Sequence, residues 1–134
     1  MGYIMTAPTQ IVMAASDLNA QDPMMKTRIF TATREQAMDC IETTFKGEKG
    51  WNIVNVDRLK GSVKLEHKAG FLGPVNDVTV TVVQEQILNG QKTHVNVKAV
   101  PKSGKGKPEK SAETVKAFNK VIDMNMRAWT RNTV

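Results

Sequence analysis

The sequence predicts an α+β domain of two layers, in which helices pack on one face of an antiparallel β-sheet and the element order is β-α-β-β-β-β-α. Two segments repeat apolar residues at helical spacing, four segments alternate apolar and polar residues, and an Asn-Gly pair separates the last two strands. The chain has 134 residues, of which 40% are hydrophobic, so one core can form without a metal or a disulfide. We expect a flexible N-terminal arm at residues 1–24 and a single domain at residues 25–134.

The first predicted unit is a strand followed by a helix. Residues 26–32 (KTRIFTA) contain β-branched and aromatic side chains that favour a strand. Thr33 and Gln36 have the spacing of a capping box, so the helix is predicted to begin at Thr33. Gly47 and Gly50 follow the helix, and glycine readily closes one. The apolar stripe of this helix consists of Ala37, Met38, Ile41 and Phe45.

Two strands joined by a turn are predicted next, at residues 51–56 (WNIVNV) and 62–68 (SVKLEHK). The second of these alternates strictly, which predicts one buried face and one solvated face. Its predicted buried residues are Val63, Leu65 and His67.

The strand at residues 51–56 is harder to orient, because both of its faces carry apolar side chains. If Val54 and Val56 face the helices, Trp51 and Ile53 point to the opposite side of the sheet. That side would then carry an apolar patch, which either the N-terminal arm or a partner covers. We therefore predict Trp51 and Ile53 as interface residues for self-association or for an apolar ligand.

The last two strands are predicted to form a hairpin at Asn89-Gly90, because a type I′ turn needs positive φ at both central residues. A two-residue loop there fixes the pairing. The predicted pairs are Val80 with Ala99, Val82 with Val97 and Gln84 with Val95 on one face, and Thr81 with Lys98 and Glu85 with His94 on the other. Apolar side chains meet apolar side chains in the first two pairs, which supports this register.

A loop rich in Pro, Gly and Lys, at residues 101–108, separates the hairpin from the last helix. The helix is predicted to begin near Pro108 or Ser111 and to end at about Arg127. Its apolar stripe consists of Val115, Phe118, Ile122, Met126 and Trp129.

The positive charge is concentrated late in the chain. The net charge is +6, and residues 92–120 account for all of it, with eight lysines against Glu109 and Glu113. Such a segment attracts phosphate groups, nucleic-acid backbone or an acidic protein face, although lysines can also serve only to keep a loop soluble. The predicted anion- or partner-binding residues are Lys98, Lys102, Ser103, Lys105, Lys107 and Lys110.

Residues with catalytic or metal-binding chemistry are few. The chain has one cysteine and two histidines, and His67 and His94 are predicted on opposite faces of the sheet. Cys40 lies in the first helix, where packing is expected rather than reactivity. The segment at residues 103–107 (SGKGK) lacks the glycine spacing and the hydroxyl residue of a phosphate-binding loop. We predict no cofactor, no metal and no enzyme activity.

Residues 27–120 resemble an uncharacterised family, the 1499 family of domains of unknown function. The segments that carry the resemblance are residues 75–80 (VNDVTV), 95–100 (VNVKAV) and 101–104 (PKSG), with Val115 and Phe118 in the last helix and Gly50-Trp51 upstream. Asn76-Asp77 stands where the family has an acidic pair. The resemblance implies the same strand and helix order, and it implies no activity because the family has none assigned.

Three functions are compatible with these features. The first is a non-enzymatic binding or assembly module, either a homo-oligomer or bound to an acidic or phosphate-containing partner. The second is a carrier of an apolar ligand between the sheet and the last helix, lined by Val80, Val82, Val97, Phe118 and Ile122. The third is binding of anions or nucleic-acid backbone by residues 98–110. No apolar stretch is long enough to span a membrane, and no export signal is convincing, so we expect a cytoplasmic protein.

Overall fold

A computed structural model describes residues 13–70, 73–87 and 90–132. The elements are β1 (Ala14–Ala15), a short 3-10 helix (Pro23–Met25), β2 (Arg28–Phe30), α1 (Arg34–Lys46), β3 (Trp51–Asp57), β4 (Ser62–Lys68), β5 (Val75–Ile87), β6 (Gly90–Pro101) and α2 (Pro108–Asn132). The strands form an open antiparallel sheet in the order β1-β6-β5-β4-β3, and β2 also pairs with β6. The predicted fold class is confirmed, with β1 as an additional short strand.

Helix α1 begins as predicted, because the capping box is formed in both directions. The backbone N–H of Gln36 donates to the hydroxyl of Thr33 over 3.0 Å, and the side-chain oxygen of Gln36 accepts from the N–H of Thr33 over 2.9 Å. The helix ends at Lys46, with Gly47 as its C-cap at φ −110°. Gly50, at φ +90°, is the residue that takes the left-handed conformation and turns the chain into β3.

The core lies between the two helices and one face of the sheet. The predicted stripe of α1 is fully buried, and so are Val115, Phe118, Ile122 and Met126 of α2. The side chain of Trp129 lies outside the described residues. The sheet contributes Val63 and Leu65 of β4 together with alternate residues of β5 and β6, which are Val78, Val80, Val82, Val95, Val97 and Ala99.

The predicted register of the last hairpin is wrong by two residues. Val78 pairs with Ala99, Val80 with Val97 and Val82 with Val95, and Ile87 pairs with Gly90 at the tip. The connection is therefore residues 88–89 instead of Asn89-Gly90, and both of its residues lie outside the described ones. A shift of two residues keeps every side chain on its original face, so the alternation that supported the predicted register cannot distinguish the two.

The predicted orientation of Trp51 and Ile53 is also wrong. The pairing of β3 with β4 shifts between Ile53 and Asn55, so that Ile53 pairs with Leu65 and Val56 pairs with Val63. Val54 is the extra residue of this β-bulge and is 56% exposed. Trp51, Ile53 and Val56 all pack against the core, which removes the basis for an interface at Trp51 and Ile53.

The described part of the N-terminal segment lies along the edge of the sheet at β6. Ala14 pairs with Ala99, and the backbone N–H of Ser16 donates to the carbonyl of Val97 over 2.9 Å. Asn119 of α2 donates to the carbonyl of Met24 over 2.8 Å. Within this segment only Ala14–Ala15 adds a strand to the sheet, and no described residue covers the second face of the sheet. None of the described helices is long and apolar enough to cross a bilayer.

Candidate functional site

Four strand ends meet at one end of the sheet. The pairs that close this end are Trp51 with His67, Lys68 with Val75 and Asn76 with Pro101. The adjoining described residues, 47–50, 69–70, 73–74 and 102–107, consequently share this end. We call it the basic end, and we define it by its lysines, which are Lys49, Lys68, Lys102, Lys105, Lys107 and Lys110.

A cleft of about 620 Å³ opens at the basic end. Its described lining consists of Lys49, Gly50, His67, Lys68, Ala69 and Gly70, and most of the lining surface is apolar. A Cβ atom at Gly50 would lie 3.1 Å from the carbonyl oxygen of Lys68 and 4.0 Å from the ring of His67. The absence of a side chain at Gly50 thus lets the loop approach the end of β4 closely.

His67 forms part of the cleft wall and is only 9% exposed. Its ring stacks on Trp51 with centroids 4.1 Å apart, and Trp51 in turn packs edge-on against Phe45 at 4.9 Å. Burial lowers the pKa of His67, because a charged imidazole loses hydration there. The imidazole is therefore neutral at pH 7 and is held in one orientation by aromatic packing.

Behind His67 lies a chain of buried hydrogen bonds that joins β4, β5 and α2. The hydroxyl of Ser111 donates to Oδ1 of Asn76 over 3.0 Å, and Nδ2 of Asn76 donates to the hydroxyl of Thr114 over 3.2 Å. The same hydroxyl lies 2.9 Å from Nδ1 of His67. Polar groups are costly to bury without partners, and here each of the four side chains has at least one. We call Ser111, Asn76, Thr114 and His67 the polar chain.

The six residues predicted to bind an anion or a partner are only partly brought together. Lys98 lies away from the basic end, on the uncovered face of β6 opposite Thr79. Ser103 shapes the loop, because its hydroxyl donates to the carbonyl of Lys105 over 2.9 Å and accepts from the N–H of the same residue over 3.2 Å.

The remaining four predicted residues, all lysines, differ in their ionic partners. Lys102 pairs with Glu66, which lowers the pKa of that carboxyl through a hydrogen bond and through charge. Lys110 lies 3.7 Å from a carboxylate oxygen of Glu113. Lys105 and Lys107 are exposed and have no ion pair within the described part of the chain. They are the cations of this loop that remain open to an external anion.

The uncovered face of the sheet is mixed in character. Lys64, Thr79 and Lys98 form one row across three strands, and Glu66 and Asp77 form the next row. Opposite charges in adjacent rows largely balance one another, so this face has no strong field of one sign. Its exposed apolar side chains are Ile29, Val54 and Val83.

Two arrangements superficially resemble catalytic sites. Thr114 lies beside His67, as a nucleophile lies beside a base, but Thr114 is 2% exposed and its hydroxyl is occupied within the polar chain. Cys40 is fully buried, and burial raises the pKa of its thiol. Among residues 13–70, 73–87 and 90–132, no three His, Cys, Asp or Glu side chains are grouped to hold a metal ion.

The residues predicted to line an interior ligand cavity belong to the core. Phe118 and Ile122 are fully buried, and the ring of Phe118 stacks on Phe45 with centroids 4.9 Å apart. Close packing at these positions gives no support to a carrier that holds its ligand between the sheet and α2.

Comparison with known proteins identifies no relative: no family model matches the chain, and no curated protein matches it significantly. The resemblance to the 1499 family of domains of unknown function thus stays a prediction. The polar chain was missed in the sequence, although one signal was present. Ser111 precedes Val115, Phe118 and Ile122 at helical spacing, which places a hydroxyl on the buried side of α2.

Proposed function

We propose that this protein is a non-enzymatic binding module that engages an acidic segment of a partner protein through its basic end. The observation that carries the proposal is the loop at residues 102–107, in which Lys105 and Lys107 are exposed and have no ion pair among the described residues. Ser103 holds the backbone at Lys105, and the carbonyl of Lys107 accepts from the N–H of Lys110 over 3.0 Å, so both cations lie on a constrained backbone. Cations presented in this way favour association with carboxylate side chains.

Within the described residues, the basic end suits an acidic peptide better than nucleic acid. Recognition of single-stranded nucleic acid uses exposed aromatic rings that stack on bases. Trp51, the described aromatic residue that backs the cleft wall at His67, is already stacked on His67 and packed against Phe45. Its indole is held within the core packing, which leaves lysines as the recognition elements among the described residues of this end.

Self-association through Trp51 and Ile53 is not part of this proposal, because both side chains pack against the core. We also propose a cytoplasmic location, where a lone thiol such as Cys40 stays reduced.

A charge-reversal experiment tests the proposal. The double variant Lys105→Glu/Lys107→Glu should bind a fluorescent hexaglutamate peptide at least about fivefold more weakly than wild type at low salt, since each exposed ion pair contributes a few tenths of a kcal/mol or more. The matched control is Lys60→Glu/Lys92→Glu, which reverses two exposed lysines remote from the basic end. Anisotropy titration measures both.

Two outcomes would contradict the proposal. Equal weakening by the two double variants would show that binding depends on net charge and not on the basic end. Tighter binding to a DNA duplex than to hexaglutamate, with a steep dependence on salt, would assign the loop to nucleic acid instead.

A further inference from the structure

We propose that the cleft beside His67 is a binding site for a small molecule that carries a carboxylate on an apolar body. This site is distinct from the loop that contacts a partner protein, and it has its own donors and its own shape. A volume of about 620 Å³ is within the range of pockets that hold small ligands, roughly 300–1,000 Å³.

The first step in the inference is the direction of the polar chain. Ser111 donates to Asn76, and Asn76 uses its amide N–H to donate to the hydroxyl of Thr114. The hydroxyl hydrogen of Thr114 then remains for Nδ1 of His67, 2.9 Å away. We assign this arrangement because each hydroxyl hydrogen is used in one bond and each acceptor is filled.

The second step is the consequence for His67. A neutral imidazole that accepts at Nδ1 carries its hydrogen on Nε2. Within the described residues, Nε2 makes no hydrogen bond, and the ring forms part of the cleft wall. A side chain that is nine-tenths buried therefore offers an N–H donor to the cleft, with the tautomer fixed from behind by Thr114.

The third step is the chemistry of the ligand. The N–H of His67 requires an acceptor, and Lys49 contributes a positive charge to the same lining, so a carboxylate satisfies both. The rest of the lining is mainly apolar, with Ala69 and Gly70 among its residues, and it accommodates a body that does not hydrogen-bond. A Cβ atom at Gly70 would meet no other atom within 4 Å, so this part of the wall leaves open space.

Nitrogen NMR on the wild-type protein tests the tautomer without any substitution. We expect the long-range nitrogen–proton spectrum to show His67 protonated at Nε2 at pH 7. Protonation at Nδ1 instead would overturn the proposal, because the cleft would then face a lone pair that repels a carboxylate.

Titration with benzoate tests the ligand class. We expect the His67 ring signals to shift and to saturate with benzoate, and not with benzyl alcohol or inorganic phosphate. An equal response to benzyl alcohol would show that binding does not need the carboxylate, and an equal response to phosphate would show that it does not need the apolar body. Either result would contradict the proposed ligand class. No saturating response to benzoate would overturn the site.

Two variants locate the site. Lys49→Gln should weaken benzoate binding about two- to fivefold, the size expected for one exposed charge. Lys64→Gln is the matched control, because Lys64 lies on the uncovered face of β4 and should leave benzoate binding unchanged. The opposite pattern, with Lys64→Gln weakening the binding and Lys49→Gln leaving it intact, would place the ligand on the uncovered face and contradict the proposal.

Discussion

The imidazole of His67 lies against the indole of Trp51, with ring centroids 4.1 Å apart and ring planes inclined by 30°. The two residues pair across β3 and β4, so this contact joins the edge strand to the polar chain behind His67. It also depends on the bulge at Val54, which lets Trp51, Ile53 and Val56 all pack toward the helices. One local irregularity in β3 therefore shapes the wall of the cleft.

Because of the bulge, we expect alanine substitutions at two neighbouring residues to differ in their cost to stability. Ile53→Ala should lower the free energy of unfolding by about 2 kcal/mol, because the side chain packs against the core. Val54→Ala should change it by less than about 0.5 kcal/mol, because Val54 is 56% exposed. Urea denaturation of the two variants measures both effects. A larger loss of stability for Val54→Ala than for Ile53→Ala would indicate that Val54 faces the core, and this would contradict the bulge.

Because His67 is buried, we expect the free energy of unfolding to fall in mild acid. Its pKa is lowered in the folded protein by burial, whereas the unfolded chain takes up a proton near pH 6.5. The unfolded state therefore binds more protons, so the contribution of neutral His67 is present above about pH 6.5 and is lost as the pH falls through the folded value.

Chemical denaturation between about pH 7.5 and pH 5 measures this effect. His67→Phe should flatten the dependence of stability on pH in this range, since phenylalanine keeps an aromatic ring against Trp51 and has no titrating group. An unchanged slope in His67→Phe would assign the acid sensitivity to other groups.

A substitution of Thr114 measures how much the polar chain contributes to the free energy of unfolding. Thr114→Val preserves the shape of the side chain but removes the partner of Nδ1 of His67 and of Nδ2 of Asn76. We expect a loss of about 1–3 kcal/mol in the free energy of unfolding, the cost of leaving a buried polar group unpaired. Thr79→Val, on the uncovered face, should cost less than about 0.5 kcal/mol. Equal losses of stability for the two variants would mean that the hydrogen bonds of the polar chain contribute no stability.

Two glycines with different surroundings, one after α1 and one after β4, predict different responses to alanine. A Cβ atom at Gly73 would lie 1.7 Å from the carbonyl oxygen of Ala69, so Gly73→Ala should cost about 1–3 kcal/mol or more. Gly47 has open space and φ −110°, so Gly47→Ala should be neutral or should stabilise the protein by about 0.4–1 kcal/mol. Thermal denaturation of the two variants measures both effects. An unchanged stability of Gly73→Ala would contradict the close approach of Gly73 to the carbonyl of Ala69.

Local sequence signals predicted the elements well. The capping box at Thr33 and Gln36 depends on residues three apart, and the alternation in β4 depends on neighbours two apart, so both are visible in the sequence. The stripe of α2 was equally clear, because Val115, Phe118 and Ile122 repeat at helical spacing.

Features that depend on distant contacts were not predicted. The bulge at Val54 accompanies the packing of Trp51 on Phe45 and His67, which lie in other elements, so no local pattern encodes it. The register of the last hairpin was shifted by two residues because the shift leaves the buried face unchanged. The cleft forms where residues 49–50 and 69–70 meet beside the end of β4, so the sequence indicated neither its lysines, Lys49 and Lys68, nor the donor at His67.

An amide NMR titration of the full chain with hexaglutamate shows most directly whether the basic end binds acidic segments. We predict that shifts concentrate at residues 102–107, and that the turn at residues 58–61 at the opposite end is unaffected. Shifts confined to the uncovered face, at Thr79, Asn96 and Lys98, would contradict the assignment of binding to the basic end.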